Sequence, residues 1–211
     1  MRKGYPFVLV GATLILSAIA YPRLPDRVPT HWNMHGQVNA YGPKWVSTLV
    51  FPAILLGLWG LLRFLPTIDP RRANYAKMQS TYDLVVNVVL TMVAAMHIVT
   101  VAAASGAPVA IPRLIPAIVG LGLVVLGNVL PRARPNWWFG IRTPWTLSND
   151  RVWERTHRVG GYVLTAAGLL AIAAALFPLA IAGPVVGVLA GAASLTLVIY
   201  SYLAWKQETS R

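Results

Sequence analysis

The stretch GNVLPRARPNWWFGIRTPWTLSNDRVWERTHRVGG, residues 127–161, separates two long apolar segments and contains six arginines and four tryptophans. This composition indicates a segment that recognises a polar partner or lies at a membrane surface. The 211-residue chain is 56% hydrophobic and only 11% charged, and its apolar residues come in blocks about long enough to cross a hydrocarbon core as helices. We therefore predict an all-α integral membrane protein.

Six transmembrane helices are predicted along the chain. Prolines lie near several of their ends, where a missing N–H is tolerated. The predicted spans are Phe7–Tyr21, Val46–Leu65, Tyr82–Ala104, Ile115–Leu130, Gly161–Leu179 and Val185–Trp205. We expect the first span to be a retained anchor and not a cleaved signal peptide, because a proline follows the candidate cleavage point and five further spans come after it.

The distribution of lysine and arginine predicts the orientation, since basic residues are retained on the cytoplasmic side. One side receives Arg2, Lys3, Arg63, Arg71, Arg72, Lys77, the six arginines of the central stretch, Lys206 and Arg211; the other receives Arg23, Arg27, Lys44 and Arg113. Both termini and the loop 131–160 should therefore be cytoplasmic, and the loop 22–45 should face outward. This asymmetry explains most of the net charge of +12. We thus expect contact with membrane lipid and no direct binding of nucleic acid.

An internal repeat bears on the architecture. The segments LPDRVPTHW, residues 24–32, and LPRARPNWW, residues 130–138, share the pattern L-P-x-x-x-P-x-x-W. Three spans in each of the halves 1–105 and 106–211 would place the two halves in opposite orientations, as in a three-plus-three inverted repeat. Chance similarity between proline-rich loops that follow a helix is an equally good explanation.

The outward loop is expected to be compact and ordered, because its prolines exclude a helix up to Pro29 and its glycines permit turns. His31 and His35 have the i, i+4 spacing of a zinc-binding pair on a helix. The favoured alternative is that both histidines and Asn33 form hydrogen bonds within the loop or to the span ends.

Four polar residues share one face of the predicted third span: Asp83, Asn87, Thr91 and His97. Polar groups in spans commonly face the bundle interior, so an ion or proton path is one interpretation. We favour structural pairing, with Asn128 or the loop arginines as the expected partners of Asp83.

The central stretch divides into two parts. Residues 132–145 should form an ordered irregular segment. A short helix should then begin from Ser148 or Asn149 as its N-cap, lie along the membrane surface on its apolar face, and turn into the fifth span at Gly160 and Gly161. The apolar face is expected to comprise Val152, Trp153, Thr156 and Val159.

The residues of this loop give little support to metal binding or catalysis. Glu154 and His157 have the E-x-x-H spacing of di-metal helix bundles, but the further carboxylates of such sites are missing. Acid–base catalysis by the same pair lacks a nucleophile motif. Neither a metal nor a cofactor is therefore predicted. Arg142 could bind a carboxylate or phosphate; pairing with Asp150, Glu154 or lipid is the alternative.

Two motifs resemble a known family. The outer motif, residues 24–45, reads LPxxxPxHWNxxGxxxxxGxKW. It resembles the N-terminal domain of unknown function in the SdpI family of bacterial toxin-immunity membrane proteins. The inner motif, residues 127–161, reads GNxLPxxRxNxxxGIRTPWTLxxxxVWxxTHRxGG and resembles the C-terminal signature of the same family. The likeness covers nearly the whole chain, and the second motif is highly specific. One departure is Asn39, where an aspartate is expected; this removes a charge and weakens any role of the outer loop in binding a cation or a basic ligand.

The resemblance implies a six-span plasma-membrane protein that protects its host against a secreted antibacterial peptide toxin. It also implies signalling, by holding a cytoplasmic DNA-binding autorepressor at the membrane when toxin is present. The residues expected to face the toxin are His31, Trp32, Asn33, Gly36 and Lys44. Those expected to contact a cytoplasmic protein are Asn136, Gly140, Arg142, Thr143, Pro144, Trp145, Trp153, Thr156, His157 and Arg158.

Two other classes of function remain as alternatives. A small transporter or peptide-extruding protein would use the repeat and the third-span stripe, and a membrane enzyme would use His157, Glu154 and Arg142 at the inner surface. Neither explains why a specific loop occurs on each face, so a non-enzymatic immunity or receptor role is predicted.

Overall fold

The structure is a computed structural model that describes residues 4–33, 37–177 and 179–210, with the backbone alone for residues 179–183. Its elements in chain order are α1 (Tyr5–Ala20), β1 (Arg27–Trp32), β2 (Val38–Pro43), α2 (Lys44–Phe64), α3 (Ala73–Lys77), α4 (Gln79–Ala104), α5 (Ile111–Val129), α6 (Pro144–Ser148), α7 (Asp150–Ala174) and α8 (Leu179–Thr209). Six of these helices are long and apolar enough to cross a membrane, which confirms the predicted fold class. The protein is therefore a multi-pass membrane protein.

The six spans pack as two groups that meet at α4 and α5. In the first group α1, α2 and α4 contact one another; in the second, α7 contacts both α5 and α8. Residues 65–78, 130–149 and the end of α8 lie together at one end of the bundle, here called the loop face. Residues 21–33 and 37–43 lie at the opposite end, the hairpin face. Three spans per group is the number that the predicted repeat requires, and the repeat itself remains a prediction.

The loop predicted to face outward contains two paired strands, here called the hairpin, which the sequence did not predict. Strands β1 and β2 pair antiparallel, with Val28 opposite Gly42. Pro29 is tolerated because a two-stranded sheet has only edge strands, where a missing N–H need not break a ladder bond. Val28 is fully buried and packs with residues of α1, α4 and the intervening loop: Ala20, Leu24, Val101 and Ala104. The hairpin is thus docked on the span ends, which agrees with the expectation of an ordered loop for the part of it that the structure describes.

Helix α7 corrects the prediction for the second half of the central stretch. It runs unbroken from Asp150 to Ala174, so the predicted turn at Gly160 and Gly161 is wrong. A Cβ placed on Gly161 would lie 2.8 Å from the carbonyl oxygen of Gly127 on α5. Gly161 therefore allows two helices to approach closely, and neither glycine bends the chain.

The start of α7 agrees with the predicted N-cap, which was either Ser148 or Asn149, but the side chains of its first turns lie in other surroundings than predicted. Asn149 is the N-cap, and its side chain accepts hydrogen bonds from the N–H groups of Arg151 (2.9 Å) and Val152 (3.2 Å). Val152 and Trp153, expected at the membrane surface, are fully buried inside the protein. The apolar face of this turn packs against the loop that precedes it, because that loop folds back over the helix.

The polar stripe of the third span is divided between separate surroundings. Asp83 accepts a hydrogen bond from Gln79 (2.8 Å), and among the described residues no ion pair links it to the loop arginines that we expected as partners. The exposed Thr91 donates to the Asn87 carbonyl (2.6 Å) and bonds the Tyr5 hydroxyl (2.7 Å). The fully buried His97 lies instead near Ser17 and the Thr13 carbonyl, at 3.1 and 3.3 Å. The four residues therefore do not share one environment.

Candidate functional site

The Arg/Trp loop, defined here as residues 131–149, is held in shape by the buried amide of Asn136. Its Nδ2 donates to the carbonyl oxygens of Arg134 and Phe139, both at 2.9 Å. Its Oδ1 accepts from the backbone N–H groups of Trp138 (2.9 Å) and Phe139 (2.6 Å). Asn136 is fully buried, so one side chain satisfies four backbone groups that would otherwise be unpaired in the protein interior.

A buried carboxylate joins this loop to the segment between α2 and α4. Asp69 is 2% exposed and accepts from the Tyr75 hydroxyl (2.9 Å), the Trp137 N–H (2.9 Å) and the Arg71 N–H (2.7 Å). Burial raises the pKa of Tyr75, and the hydrogen bond to Asp69 raises it further. Tyr75 therefore stays protonated and acts as a donor, which ties the two groups of spans together at the loop face.

Two further contacts reinforce this junction. The Arg71 guanidinium donates to Asp150 Oδ1 (2.6 Å) and to the Leu147 carbonyl (3.1 Å). Asn74 Nδ2 donates to the Pro135 carbonyl (2.8 Å). The Arg/Trp loop is thus fixed both at its beginning and at its end by residues 69–75.

His157 is a structural residue of this site. It is fully buried and stacked on Trp153, with ring centroids 3.9 Å apart. Its Nδ1 bonds the Trp153 carbonyl (2.8 Å), which makes Nδ1 the protonated nitrogen, and its Nε2 accepts from the Ile141 N–H (3.0 Å). Trp153 Nε1 in turn donates to the Ala133 carbonyl (2.8 Å).

Gly140 completes the packing against this pair. Its φ of +110° belongs to a backbone region that only glycine adopts readily, and a Cβ there would overlap His157 Nε2. The glycine of the G-I-R-T-P-W motif is therefore required by both backbone conformation and space.

Helix α6 is fixed by a capping box that also reaches α8. The Thr146 N–H donates to Thr143 Oγ1 (3.2 Å), and the Thr143 N–H donates to Thr146 Oγ1 (2.9 Å). Thr143 Oγ1 also donates to Ser201 Oγ (3.1 Å). Pro144 occupies the first turn, where its missing N–H costs nothing, and Trp145 packs edge-on against Tyr202.

Eight of the ten predicted partner-binding residues fall into two sets, and Gly140 and Trp145 are half-buried. The buried set holds the loop together: Asn136, Thr143, Trp153, Thr156 and His157. The exposed set includes Arg142, Pro144 and Arg158, to which the structure adds Trp137 (48% exposed) and Trp138 (39% exposed). Arg142 lies beside the tryptophans, because its Nη1 donates to the Trp137 carbonyl (2.9 Å). We call Trp137, Trp138 and Arg142 the Trp/Arg surface.

The arrangement does not favour metal or acid–base chemistry at the E-x-x-H pair. Both His157 nitrogens are engaged within the protein, and Glu154 is exposed beside Arg134, with N–O at 3.7 Å. Within the described residues, no group of three or more His, Cys, Asp or Glu side chains is placed to hold a metal ion.

The hairpin face brings together several of the predicted toxin-facing residues. His31 Nδ1 bonds Asn39 Oδ1, and Asn33 Nδ2 donates to Gln37 Oε1 (3.1 Å), so the expectation that this loop bonds to itself is confirmed for these two residues. Lys44 pairs with Asp26 (3.1 Å) and lies 5.2 Å from the centre of the Tyr21 ring. Trp32 is half-buried in β1. His35 and Gly36 lie outside the described residues.

Sequence reasoning missed Asp69, Arg71, Tyr75 and Ser201. A signal was available for Asp69, which is one of only six acidic residues and stands in a proline-rich connection beside two arginines. Such an isolated acid in a short loop indicates a specific partner, but its partner Trp137 is distant in sequence and only the fold brings the two together.

Six apolar spans, a docked hairpin on one face and a rigid Arg/Trp loop on the other define a small multi-pass membrane protein with two structured faces. Residues 132–202 match the SdpI/YfhL protein family, and residues 8–56 match a domain of unknown function, DUF1648. The chain thus carries an SdpI family domain with the N-terminal domain that our resemblance predicted.

One curated relative supports the same assignment. The chain is 28% identical to the immunity protein SdpI of Bacillus subtilis (strain 168) over 171 residues, which is 81% of this chain and 80% of that protein. No solved structure matches the chain.

Proposed function

We propose that this chain is an SdpI-like immunity protein of a bacterial plasma membrane that gives resistance to a secreted antibacterial peptide toxin. The observation that carries the proposal is the extent of the likeness to an immunity protein. It covers 81% of the chain, and the two family matches include the hairpin (8–56) and most of the Arg/Trp loop (132–202).

The orientation proposed is loop face inward and hairpin face outward. Arginine and lysine are concentrated at the loop face, whereas Arg23, Arg27, Lys44 and Arg113 are the basic residues of the opposite side. The positive-inside rule then places the Arg/Trp loop in the cytoplasm. A secreted toxin would first meet the hairpin.

The hairpin face supplies a surface suited to a peptide. Tyr41 and Trp45 are about half exposed, and the buried Val28 holds the strands rigidly on the span ends. Exposed aromatic side chains on a fixed backbone bind at little cost in conformational entropy. We propose that this surface contacts the toxin, together with His31, Trp32, Asn33, Gly36 and Lys44.

The loop face supplies a second surface suited to a cytoplasmic protein. Tryptophan and arginine are the residue types that contribute most to protein interfaces, and the Trp/Arg surface combines them on a loop fixed by Asn136, Asp69 and His157. A DNA-binding autorepressor is the partner proposed for this surface.

The test is survival of a toxin-sensitive bacterium that expresses the chain and is challenged with toxin, at matched membrane abundance. The wild type should protect. Tyr41→Ala/Trp45→Ala should lose protection, whereas Trp137→Ala/Arg142→Ala should protect and should lose only recruitment of the cytoplasmic partner. Leu121→Ala, at an exposed position within α5, is the control for a neutral change in the spans. Absence of protection by abundant wild-type protein would contradict the immunity function.

The two alternative functions have less support. A transporter would need a polar path, and the third-span residues are divided between a groove beside Tyr5 and a separate site at Ser17. An enzyme would need His157 as a general base, and both of its nitrogens are occupied.

A further inference from the structure

The arginines of the loop face differ in whether an acidic side chain neutralises them. Four are paired: Arg71 with Asp150, Arg134 with Glu154, and Arg151 and Arg155 with Glu208. Arg132 and Arg158 are both exposed and have neither an ion pair nor a side-chain hydrogen bond among the residues that the structure describes. Their positive charge is therefore available to an external anion.

These two arginines lie at the same junction. Arg132 directly follows Pro131, and a Cβ on Gly161 would lie 2.8 Å from Pro131 Cγ, so Pro131 rests on α7 at that glycine. Arg158 is three residues before Gly161, which is about 4.5 Å along the helix axis. Both side chains thus start within about one helical turn of the contact between the end of α5 and α7.

The neighbouring residues place this junction at the edge of the hydrocarbon region. Tyr162, four residues after Arg158 and hence on the same side of α7, is 73% exposed. Tyrosine is enriched at the level of lipid headgroups. Further along the same helix, Leu169 and Leu170 are more than half exposed, as expected of side chains that face acyl chains.

We propose that Arg132 and Arg158 bind the phosphate of an anionic phospholipid, with Tyr162 beside the headgroup and the acyl chains along α7. Arginine suits this role because its planar guanidinium donates two parallel hydrogen bonds to a phosphate. The lipid comes from the leaflet on the loop face. A lipid is favoured over a soluble anion because the two charges stand directly above an exposed apolar helix surface. The site does not depend on the proposed immunity function.

The experiment measures lipid binding to the purified full chain by native mass spectrometry, after removal of bound lipid and titration with phosphatidylglycerol or, as the zwitterionic reference, phosphatidylcholine. Arg132→Gln/Arg158→Gln should weaken phosphatidylglycerol binding about tenfold, the effect expected from losing charge-assisted hydrogen bonds. Arg27→Gln/Arg113→Gln removes the same charge from exposed arginines of the opposite face and should leave this binding unchanged.

The controls separate a specific site from general attraction. Equal weakening in both double variants, or unchanged binding in Arg132→Gln/Arg158→Gln, would overturn the proposal. Displacement of the lipid by millimolar inorganic phosphate would show a site for soluble anions and would also overturn it. If size-exclusion chromatography shows that the glutamine variant does not fold, Arg132→Lys/Arg158→Lys is used in its place. This variant keeps the positive charge without the paired donors and should bind phosphatidylglycerol with an intermediate affinity. An affinity equal to that of the wild type would contradict bidentate recognition.

Discussion

Replacing Gly140 by alanine should destabilise the loop face strongly, for two reasons that the structure separates. The φ of +110° is strained for any residue with a Cβ, at a cost of about 1–3 kcal/mol. The new methyl group would also overlap His157 Nε2 and lie 3.1 Å from its Cδ2. The ring must move, and the partly buried Ile141 N–H then loses its acceptor, which costs about 1–3 kcal/mol.

Together these costs amount to about 4 kcal/mol, which corresponds to a fall in Tm of roughly 10 °C for a chain of this size. The assay is thermal unfolding in detergent, followed by circular dichroism. Gly57→Ala is the matched control, because a Cβ at that helical position meets no atom within 4 Å and should be neutral or slightly stabilising. A Tm for Gly140→Ala equal to that of Gly57→Ala would refute the reasoning.

A double variant tests the role of His157 directly. In a His157→Ala background the ring is absent, so Gly140→Ala should cost only the strain of its backbone conformation. The cost of the double variant should therefore be about 1–3 kcal/mol smaller than the sum of the two single costs. Strict additivity would show that the two residues do not interact.

Three further predictions concern the buried carboxylate and the helix contact. Asp69→Asn should lower the free energy of unfolding by about 3 kcal/mol, because the new amide group must point an N–H at a donor such as the Trp137 N–H. Denaturant unfolding at neutral pH measures this difference, and an unchanged free energy of unfolding would contradict the prediction. Burial and Asp69 raise the pKa of Tyr75, so the stability from this group is complete below the usual tyrosine pKa of about 10 and is lost as pH rises above it. Tyr75→Phe should accordingly reduce the loss of stability at alkaline pH, and an identical alkaline profile would argue against it. Gly161→Leu should separate α5 from α7 and prevent stable folding, whereas Gly191→Leu, which points into open space, should be tolerated; similar yields of folded protein from both would exclude the close contact.

Much of the fold could be predicted from the sequence because its physical cause is local. A helix that crosses a membrane must satisfy its own backbone hydrogen bonds and cover itself with apolar side chains, so each span is visible in a run of apolar residues. The sequence limited the N-cap of α7 to Ser148 or Asn149 for the same reason, since the hydrogen bonds of Asn149 reach only to Arg151 and Val152. The two long motifs likewise identified the SdpI family domain from residue identities alone.

The hairpin and the course of α7 could not be obtained in that way. A segment with Pro29 in it gives a weak strand signal, and the docking of Val28 on α1 and α4 adds a tertiary stabilisation that the local sequence does not show. The Gly160–Gly161 pair predicts a turn when taken alone. In the structure Gly161 packs against Gly127 of α5 within a continuous helix, because a close helix crossing also requires a residue without a side chain.

The sequence by itself determined the number of spans, the concentration of arginine and tryptophan at one face and the family of the domain. Tertiary structure alone decided which residues of the inner motif, 127–161, are exposed and which are buried. Asn136, Trp153 and His157 belong to the same polar and aromatic motif as Trp137 and Arg142, yet three are fully buried and two are exposed. The physical reason is that a buried polar group must find its hydrogen-bond partners, and these partners, at Ile141, Ala133 and Phe139, are in place only when the loop has folded over α7.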